Sequence, residues 1–174
     1  VHGGIQFGGD PRSLDELVRS CKRISRRPLI VKLSPNVTSI SQMARIVEDA
    51  GADAISLVNT FVAMAIDAEK RTPRIANVTA GLSGPAIKPI ALRMVYDAYK
   101  AVKIPIIGMG GIATASDVVE FMLAGATAIQ IGTANYWDPR ASEKLADELR
   151  SWCDEHKVNR VAELTGGLIT GGAD

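Results

Sequence analysis

Short apolar runs alternate with amphipathic stretches along most of the chain. The runs within "PLIVKLSP", "DAISLVNT", "IPIIGMG" and "TAIQIGTA" are almost entirely apolar, which is typical of strands buried on both faces of a parallel sheet. Between them, apolar residues recur at helical spacing, as in "SISQMARIVEDAGA" and "TASDVVEFMLAGA". The pattern predicts an α/β fold of four βα units, preceded by a helix in "PRSLDELVRSCKRIS". Asp10 and Pro11 predict the start of that leading helix, and Gly51 predicts the end of the next one.

The number of units is small for a closed barrel. The chain has 174 residues, whereas a complete (β/α)8 barrel takes about 250. Four units could also form a doubly wound sheet, but the first strand would then be an open edge, which favours aggregation. The sequence also lacks a start methionine. We therefore expect residues 1–174 to be the C-terminal half of a TIM (β/α)8 barrel whose N-terminal half precedes Val1.

Composition excludes several classes of function. The net charge of +1 gives no electrostatic reason to expect nucleic acid or an anionic membrane as a partner. No apolar run approaches the roughly 20 residues of a membrane span, and the N-terminus does not resemble a signal peptide. Cys21 and Cys153 lie far apart in helical patterns, and His2 and His156 lack zinc-site spacing. We expect a cytoplasmic protein with reduced thiols and no metal.

Candidate chemistry stands at the carboxyl ends of the predicted strands, where parallel α/β folds place their sites. Lys32 puts a charge inside an apolar run, and a buried ammonium is costly unless an anion or acceptor meets it. A lysine at a sheet edge, or one paired with a structural carboxylate, would explain it without function. Asn59 and Thr60 end the second strand, where an Asn can also serve as a turn residue.

The segment from Phe61 to Pro85 shows no clear period and is predicted to be a long irregular loop. Loops longer than about 12–15 residues are usually functional or mobile. This one follows a strand end, so we expect it on the functional face. It ends in "TAGLSGPAIKP", which places Gly81, Ser83 and Gly84 just before a helix.

Glycine turns follow the last two strands, in "GMGGI" and "IGTA". Each is predicted to direct backbone N–H groups and a helix start toward an anion, as in barrels that bind phosphate after their last two strands. Plain turn glycines are the alternative. The turns contain no Arg or Lys, and the sequence shows no acidic pair at metal spacing. A bound phosphorylated cofactor therefore fits better than a transferred phosphoryl group.

Several segments together resemble the dihydroorotate dehydrogenases. They are "VKLSPNVT", "NT", "AGLSGPAIKPIALRMV", "IPIIGMGGI" and "AIQIGTA", and the opening "HGGIQFGGDP" resembles the segment after that family's catalytic cysteine loop. The similarity is closest to the class 1B catalytic subunit and spans almost the whole chain in order and spacing. It implies FMN-dependent oxidation of dihydroorotate to orotate in de novo pyrimidine (UMP) biosynthesis.

The resemblance also implies roles for individual positions. Asn59 and Thr60 match residues that hold the pyrimidine. At Gly111, a side chain would be expected to intrude on the phosphate and to weaken FMN retention far more than stability. The positions that match contacts to FMN are Lys32 beside the ring, Val58 through its backbone, and Gly84, Gly110, Gly111, Gly132 and Thr133 around the phosphate and ribityl chain.

The general base of class 1 members is a cysteine in an "SCPN"-like motif, which would end just before Val1. Cys21 and Cys153 sit in helix patterns away from strand ends and do not replace it, so this segment alone is expected to be inactive. Class 1B enzymes pair with a subunit carrying FAD and [2Fe-2S]. A homodimer or a heterotetramer is therefore expected, while the sequence leaves the electron acceptor open.

Other functions remain open on sequence grounds. The pyrimidine-reducing domain of dihydropyrimidine dehydrogenase is similar in these same turns, but it belongs to a far longer chain with iron–sulfur motifs. A non-redox barrel isomerase or synthase would share the last two glycine turns, yet it would need carboxylates at the strand ends. A non-catalytic phosphate-binding module is a further alternative, against which Lys32 argues weakly.

Overall fold

The structure is a computed structural model that describes residues 5–171. The α-helices are α1 (Ile5–Gly9), α2 (Pro11–Ile24), α3 (Ile40–Asp49), α4 (Lys88–Tyr99), α5 (Ala115–Leu123), α6 (Ala134–Trp137) and α7 (Ala141–Glu155). Two 3₁₀ helices span Pro85–Ile87 and Val161–Leu164. The strands are β1 (Ile30–Lys32), β2 (Ala54–Leu57), β3 (Phe61–Met64), β4 (Ile66–Asp67), β5 (Thr72–Pro73), β6 (Thr79–Leu82), β7 (Ile106–Met109) and β8 (Ala128–Gln130).

The four predicted apolar runs form one parallel sheet in the order β1-β2-β7-β8. Ile55 pairs with Val31 on one side and with Ile106 on the other, so β2 and β7 are the central strands. Ile55, Leu57 and Ile106 on these strands are almost fully buried, whereas Ile30 on β1 is 52% exposed. Both outer strands, β1 and β8, therefore present an open edge among the described residues.

The helices cover the sheet in chain order. Contacts run from α2 to α3, α3 to α4, α4 to α5 and α5 to α7, and α3, α4 and α5 each pack on strands. Phe121 of α5 is fully buried, and a side chain on Gly108 of β7 would meet its ring at 2.8 Å. Consecutive βα units with adjacent helices confirm the predicted α/β fold and are consistent with half of a (β/α)8 barrel.

The predicted helix ends are confirmed where local chemistry specifies them. Asp10 caps α2, and its carboxylate accepts a hydrogen bond from the Ser13 N–H at 2.7 Å. After α3, Gly51 has a φ of +96°, the left-handed conformation that glycine adopts beyond a helix end. His156 ends α7 and stacks on Trp152, while His2 lies outside the described residues.

The prediction of an irregular loop over Phe61–Pro85 is wrong. The segment forms two antiparallel ribbons, in which β3 pairs with β6 and β4 pairs with β5. Phe61 lies opposite Leu82, and pairing across so many residues produces no local period that a sequence pattern could reveal. Gly81 belongs to β6 opposite Val62, so it is not part of the turn that contains Ser83 and Gly84.

Two further expectations concern membranes and thiols. No helix within residues 5–171 is both long enough and apolar enough to cross a membrane. Cys21 is half-buried in α2 and Cys153 is buried in α7. Neither forms a disulfide within residues 5–171.

Candidate functional site

A cavity of about 360 Å³ lies at the carboxyl ends of the sheet strands, between the turns after β2, β7 and β8. This volume falls within the range of small-molecule sites, roughly 300–1,000 Å³. Val58, Met109 and Ile112 supply part of an apolar lining. All nine candidate residues from the sequence line this one cavity: Lys32, Val58, Asn59, Thr60, Gly84, Gly110, Gly111, Gly132 and Thr133.

A second cavity of about 580 Å³ adjoins the first on the β1 side. Lys32, Asn59 and Thr60 line both cavities and so mark their junction. Apolar residues of α2 and β1 form one wall of the second cavity, which also includes the half-buried Cys21. The two cavities form one groove across the strand ends, with the glycine turns at one end and polar side chains in the middle.

Unpaired backbone donors line the glycine end of the groove. The N–H groups of Gly110, Gly111 and Ile112 donate no hydrogen bond within residues 5–171, and neither do those of Gly132 and Thr133. Backbone donors at partly buried positions usually have a partner. Two turns that offer such groups to one cavity are suited to an anion that spans them.

A hydrogen bond joins two of the loops around this end. The hydroxyl of Thr133, after β8, donates to the hydroxyl of Ser83 at 2.8 Å. Ser83 precedes Gly84, which is buried with a φ of +88°. The contact holds the loop before α4 against the turn after β8, so three loops surround the glycine end.

The start of α5 does not line the cavity, which corrects the expectation that both turns aim a helix terminus at an anion. Asp117 accepts hydrogen bonds at 2.9 Å from the N–H groups of Ala113 and Thr114. The Thr114 hydroxyl in turn accepts from the Asp117 N–H, which completes a capping box. The donors that face the cavity after β7 therefore belong to the glycine turn itself and not to the helix.

A lysine lies beside this turn, although none lies within it. The Lys88 ammonium bonds to Asp117 at 2.5 Å and to Glu120 at 3.0 Å. The hydrogen bonds to these carboxylates raise the pKa of Lys88. Burial alone would raise the pKa of Asp117, but the bonds from Lys88, Ala113 and Thr114 together lower it. The charge of Lys88 is thus neutralised by protein carboxylates. What the glycine end offers to an anion is therefore backbone N–H groups and not a free positive charge.

The glycines at this end are required for different reasons. A Cβ on Gly111 would lie 2.8 Å from the Gly84 carbonyl oxygen and 2.9 Å from the Lys88 backbone nitrogen. A Cβ on Gly110 would lie 2.9 Å from that of Ala91. Both contacts are with the α4 region, so the expectation that a side chain on Gly111 would chiefly obstruct a ligand is wrong. At Gly132, by contrast, a Cβ would meet no atom within 4 Å.

Lys32 is exposed rather than buried, because β1 is an edge strand among the described residues. Its ammonium forms no ion pair there, so pairing with a structural carboxylate does not explain it. The side chain lines both cavities. It is a free cation at the junction of the groove.

Asn59 and Thr60 stand where β2 leaves the sheet. The Asn59 side-chain oxygen accepts a hydrogen bond from the Thr60 N–H at 2.8 Å. The side-chain NH2 group of Asn59 donates to no acceptor within residues 5–171. Both residues are exposed, and the preceding Val58 is buried, with its N–H bonded to the Met109 carbonyl at 3.0 Å. The backbone at the end of β2 is thus held by a hydrogen bond to β7, while the polar side chains of Asn59 and Thr60 line the groove.

The lining includes residues that the sequence did not single out as ligands. Ser83 is one of them, and its side-chain bond to Thr133 joins loops that are distant in sequence. Gln130 and Trp137 also line the smaller cavity. Trp137 is 58% exposed and follows "IGTA" closely in the sequence. An aromatic residue shortly after a strand end is the sequence feature that could have identified it. Within residues 5–171 no cluster of His, Cys, Asp or Glu could hold a metal.

Comparisons with known proteins identify relatives along almost the whole chain. A family model described as dihydroorotate dehydrogenase matches residues 1–152. The chain is 56% identical over 168 residues to the dihydroorotate dehydrogenase B (NAD(+)) catalytic subunit of Geotalea uraniireducens, covering 97% of the chain and 55% of that protein. It is 55% identical over 168 residues to a Solibacter usitatus protein provisionally named dihydroorotate dehydrogenase A (fumarate), with the same coverages. The chain spans about half the length of the curated relatives it matches.

A solved structure shares the fold. It is described as DHODH in complex with ferulenol from Eimeria tenella, and it matches with a TM-score of 0.76 at 23% sequence identity. The match covers 91% of this chain and 48% of that one. At this identity the likeness supports the architecture alone, and it agrees with half of a larger α/β fold.

Proposed function

The chain belongs to the dihydroorotate dehydrogenase family, and on that premise we propose that it forms the C-terminal, FMN-binding half of an enzyme that oxidises dihydroorotate to orotate in pyrimidine biosynthesis. The N-terminal half of the barrel would precede Val1 and pair with the open edges of β1 and β8. Residues 1–174 would then be one half-barrel domain of a longer protein.

One observation carries the proposal for the cofactor. The groove offers unpaired backbone donors at one end and a free lysine with an asparagine at its middle, with an apolar wall between them. This order matches the chemistry of FMN, which carries a phosphate at one end and a flat ring at the other. We assign the phosphate to the turns of Gly110–Gly111 and Gly132–Thr133, with Gly84 closing the third side.

The remaining candidate residues would act at the ring and at the substrate. Val58 would contact the ring through its backbone, and Lys32 would place a positive charge beside it. Bound FMN would accept the hydride that the substrate loses. Asn59 and Thr60 would bind the pyrimidine by hydrogen bonds, with the free amide group of Asn59 as a donor.

The general base is assigned outside this chain, to a cysteine upstream of Val1. Cys153 is buried in α7, away from the groove. Cys21 lies on the helical wall of the larger cavity among apolar residues, and the described residues that line this cavity include no His, Asp or Glu to activate its thiol. The half-barrel alone would therefore not turn over substrate.

The electron acceptor is a separate question. The relatives include proteins named for NAD(+) and one named for fumarate at nearly equal identity. We propose a class 1B arrangement, in which an FAD and [2Fe-2S] subunit receives electrons from FMN within a heterotetramer. A homodimer that uses fumarate is the alternative.

Among the other functions considered, the acid/base isomerase receives no support from the groove. Neither cavity is lined by an Asp or Glu of the described residues, and such enzymes need carboxylates near the reacting atoms. A dihydropyrimidine dehydrogenase-like flavin domain would act on a different pyrimidine. The two can be separated directly with dihydrouracil.

The test uses the full-length protein that contains this chain. We expect it to purify with one FMN per chain, identified after denaturation by mass spectrometry. Anaerobic dihydroorotate should bleach the flavin absorbance, whereas dihydrouracil should not. A colourless protein would contradict the cofactor assignment, and a flavin reduced only by dihydrouracil would contradict the substrate.

A further inference from the structure

Asn36 holds the segment that follows the β2 strand end. Its side-chain Nδ2 donates to the Thr60 carbonyl oxygen at 3.1 Å, and its Oδ1 accepts from the Val62 N–H at 3.0 Å. Asn36 lies in the loop between β1 and α3, 24 residues before Thr60 and 26 before Val62. One carboxamide therefore binds the backbone on both sides of Phe61.

These two bonds have the pattern of strand pairing. In a parallel ladder, one residue bonds with its N–H and C=O to the two residues that flank its partner. The Asn36 carboxamide reproduces that pairing opposite Phe61. On its other edge Phe61 pairs with Leu82 of β6, so the backbone at this position is held from both sides.

The Asn36 loop is itself anchored. The Ser34 hydroxyl accepts hydrogen bonds from the Asn36 N–H at 3.2 Å and from its Nδ2 at 3.4 Å. One residue earlier, the Leu33 carbonyl accepts from the Asn59 N–H at 3.2 Å. The backbone from Asn59 to Val62 is thus fixed against the loop after β1 as it leaves the sheet.

This backbone carries the residues assigned to the substrate. Asn59 and Thr60 lie at the junction of the two cavities, and Asn36 lines the larger one beside them. A small rotation at Thr60 would redirect its hydroxyl and would also move the N–H that holds the Asn59 carboxamide. Precise placement of such donors decides how well a polar substrate is bound.

We propose that Asn36 is a positioning residue for the pyrimidine substrate, which acts by fixing the backbone at Thr60 and thereby aiming the Asn59 and Thr60 side chains into the groove. The proposal rests on the proposed function, because it presumes that the groove binds dihydroorotate. Asn36 does not line the smaller cavity, which contains the glycine turns. Its replacement should therefore change the binding of substrate and not the binding of FMN.

The residue type is specific. A carboxamide has both a donor and an acceptor, and both are used here. Aspartate has the same shape, but ionised it only accepts, so it would oppose the Thr60 carbonyl with a second oxygen. Asn36→Asp therefore removes the donating bond without creating a cavity, and Asn36→Ala removes both bonds without adding a charge.

The experiment compares these variants in the full-length protein. We expect Asn36→Asp and Asn36→Ala to raise KM for dihydroorotate and Kd for orotate about tenfold or more. FMN content and melting temperature should stay close to those of the unchanged protein. Asn159→Asp is the matched control, because Asn159 is exposed and its side chain makes no hydrogen bond within residues 5–171; it should leave KM unchanged.

The outcomes separate the two proposals. If the unchanged protein lacks FMN or does not oxidise dihydroorotate, the proposed function fails. If it is active but both Asn36 variants keep KM and orotate affinity, the positioning role is wrong. Loss of FMN, or a large fall in melting temperature, in both variants would also overturn it, since Asn36 would then maintain the fold and not the substrate site.

Discussion

Gly111 and Gly132 both stand at strand ends, yet their missing side chains serve different contacts. Gly111 has a φ of +83° and lies against the Gly84 carbonyl and the start of α4. Gly132 has open space where its Cβ would be. The first glycine is therefore required by the fold, and the second is free to admit a ligand close to the backbone.

Substitutions at these two positions should affect different properties of the protein. Gly132→Ala is expected to lower FMN affinity about tenfold with little change in melting temperature. Gly111→Ala is expected to destabilise the protein by about 1–3 kcal/mol, because it imposes a left-handed conformation on alanine and crowds the Gly84 carbonyl. Flavin retention on dialysis and thermal unfolding of the full-length protein measure the two effects.

The control for this comparison is Gly171→Ala, where an added Cβ also meets nothing within 4 Å but which does not line the groove. It should change neither quantity. Normal FMN affinity in Gly132→Ala would contradict the phosphate assignment at the β8 turn.

At the scale of elements, an ion pair joins the starts of α4 and α5. Lys88 is the first residue of α4, where a positive charge opposes the helix dipole. Asp117 lies in the first turn of α5 and also caps that helix. The ion pair neutralises the Lys88 charge that opposes the dipole of α4. It also joins the two helix starts between which the glycine turn runs.

Removing the charge of Asp117 should destabilise the protein in a pH-dependent way. Asp117→Asn is expected to lower the free energy of unfolding by about 1–3 kcal/mol near neutral pH. Because folding lowers the pKa of Asp117 below its ordinary value of 3.8, the ionised carboxylate stabilises the fold above that value. The stabilisation is lost as the pH falls through the folded-state pKa.

The measurement is urea unfolding at several pH values. The difference between the unchanged protein and Asp117→Asn should be constant around neutrality and shrink below about pH 4. Since the pKa of Lys88 is raised from 10.5, the difference should also shrink as the pH rises beyond that value. Glu155→Gln removes an exposed carboxylate that forms no ion pair in the described part of the chain, and it should show neither trend.

The elements also show why some features were predictable. The start of α2 depends on Asp10 and the end of α3 on Gly51, and both act within a few residues of sequence. The pairing of β3 with β6 instead joins Phe61 to Leu82, and Thr60 packs against Gly81. These contacts are long-range, so no local pattern encoded the ribbons that replaced the predicted loop.

For the whole molecule, the dominant feature is the pair of edges at β1 and β8, which are open among residues 5–171. Unpaired strand edges promote association between chains, and Ile30 adds exposed apolar surface to one of them. In the proposed barrel these edges would be paired with the N-terminal half. The same residue should therefore behave differently in the half and in the full-length protein.

Ile30→Lys tests this expectation. In residues 1–174 alone, the charge on the edge should reduce self-association, measured by sedimentation velocity. In the full-length protein it should lower the melting temperature, because the charge would be placed where two halves of the sheet meet. An unchanged melting temperature in the full-length protein would contradict the proposed barrel closure.

The sequence by itself determined the alternation of strands and helices, the family, and which residues stand at strand ends, because each follows from local periodicity or from an ordered set of motifs. The tertiary structure decided which donors and charges are free. It showed that Asp117 occupies the N–H groups of Ala113 and Thr114 just before α5, that Lys88 is neutralised, and that Gly111 packs against the start of α4. Those are contacts between distant segments, and only folding brings their atoms within hydrogen-bonding distance.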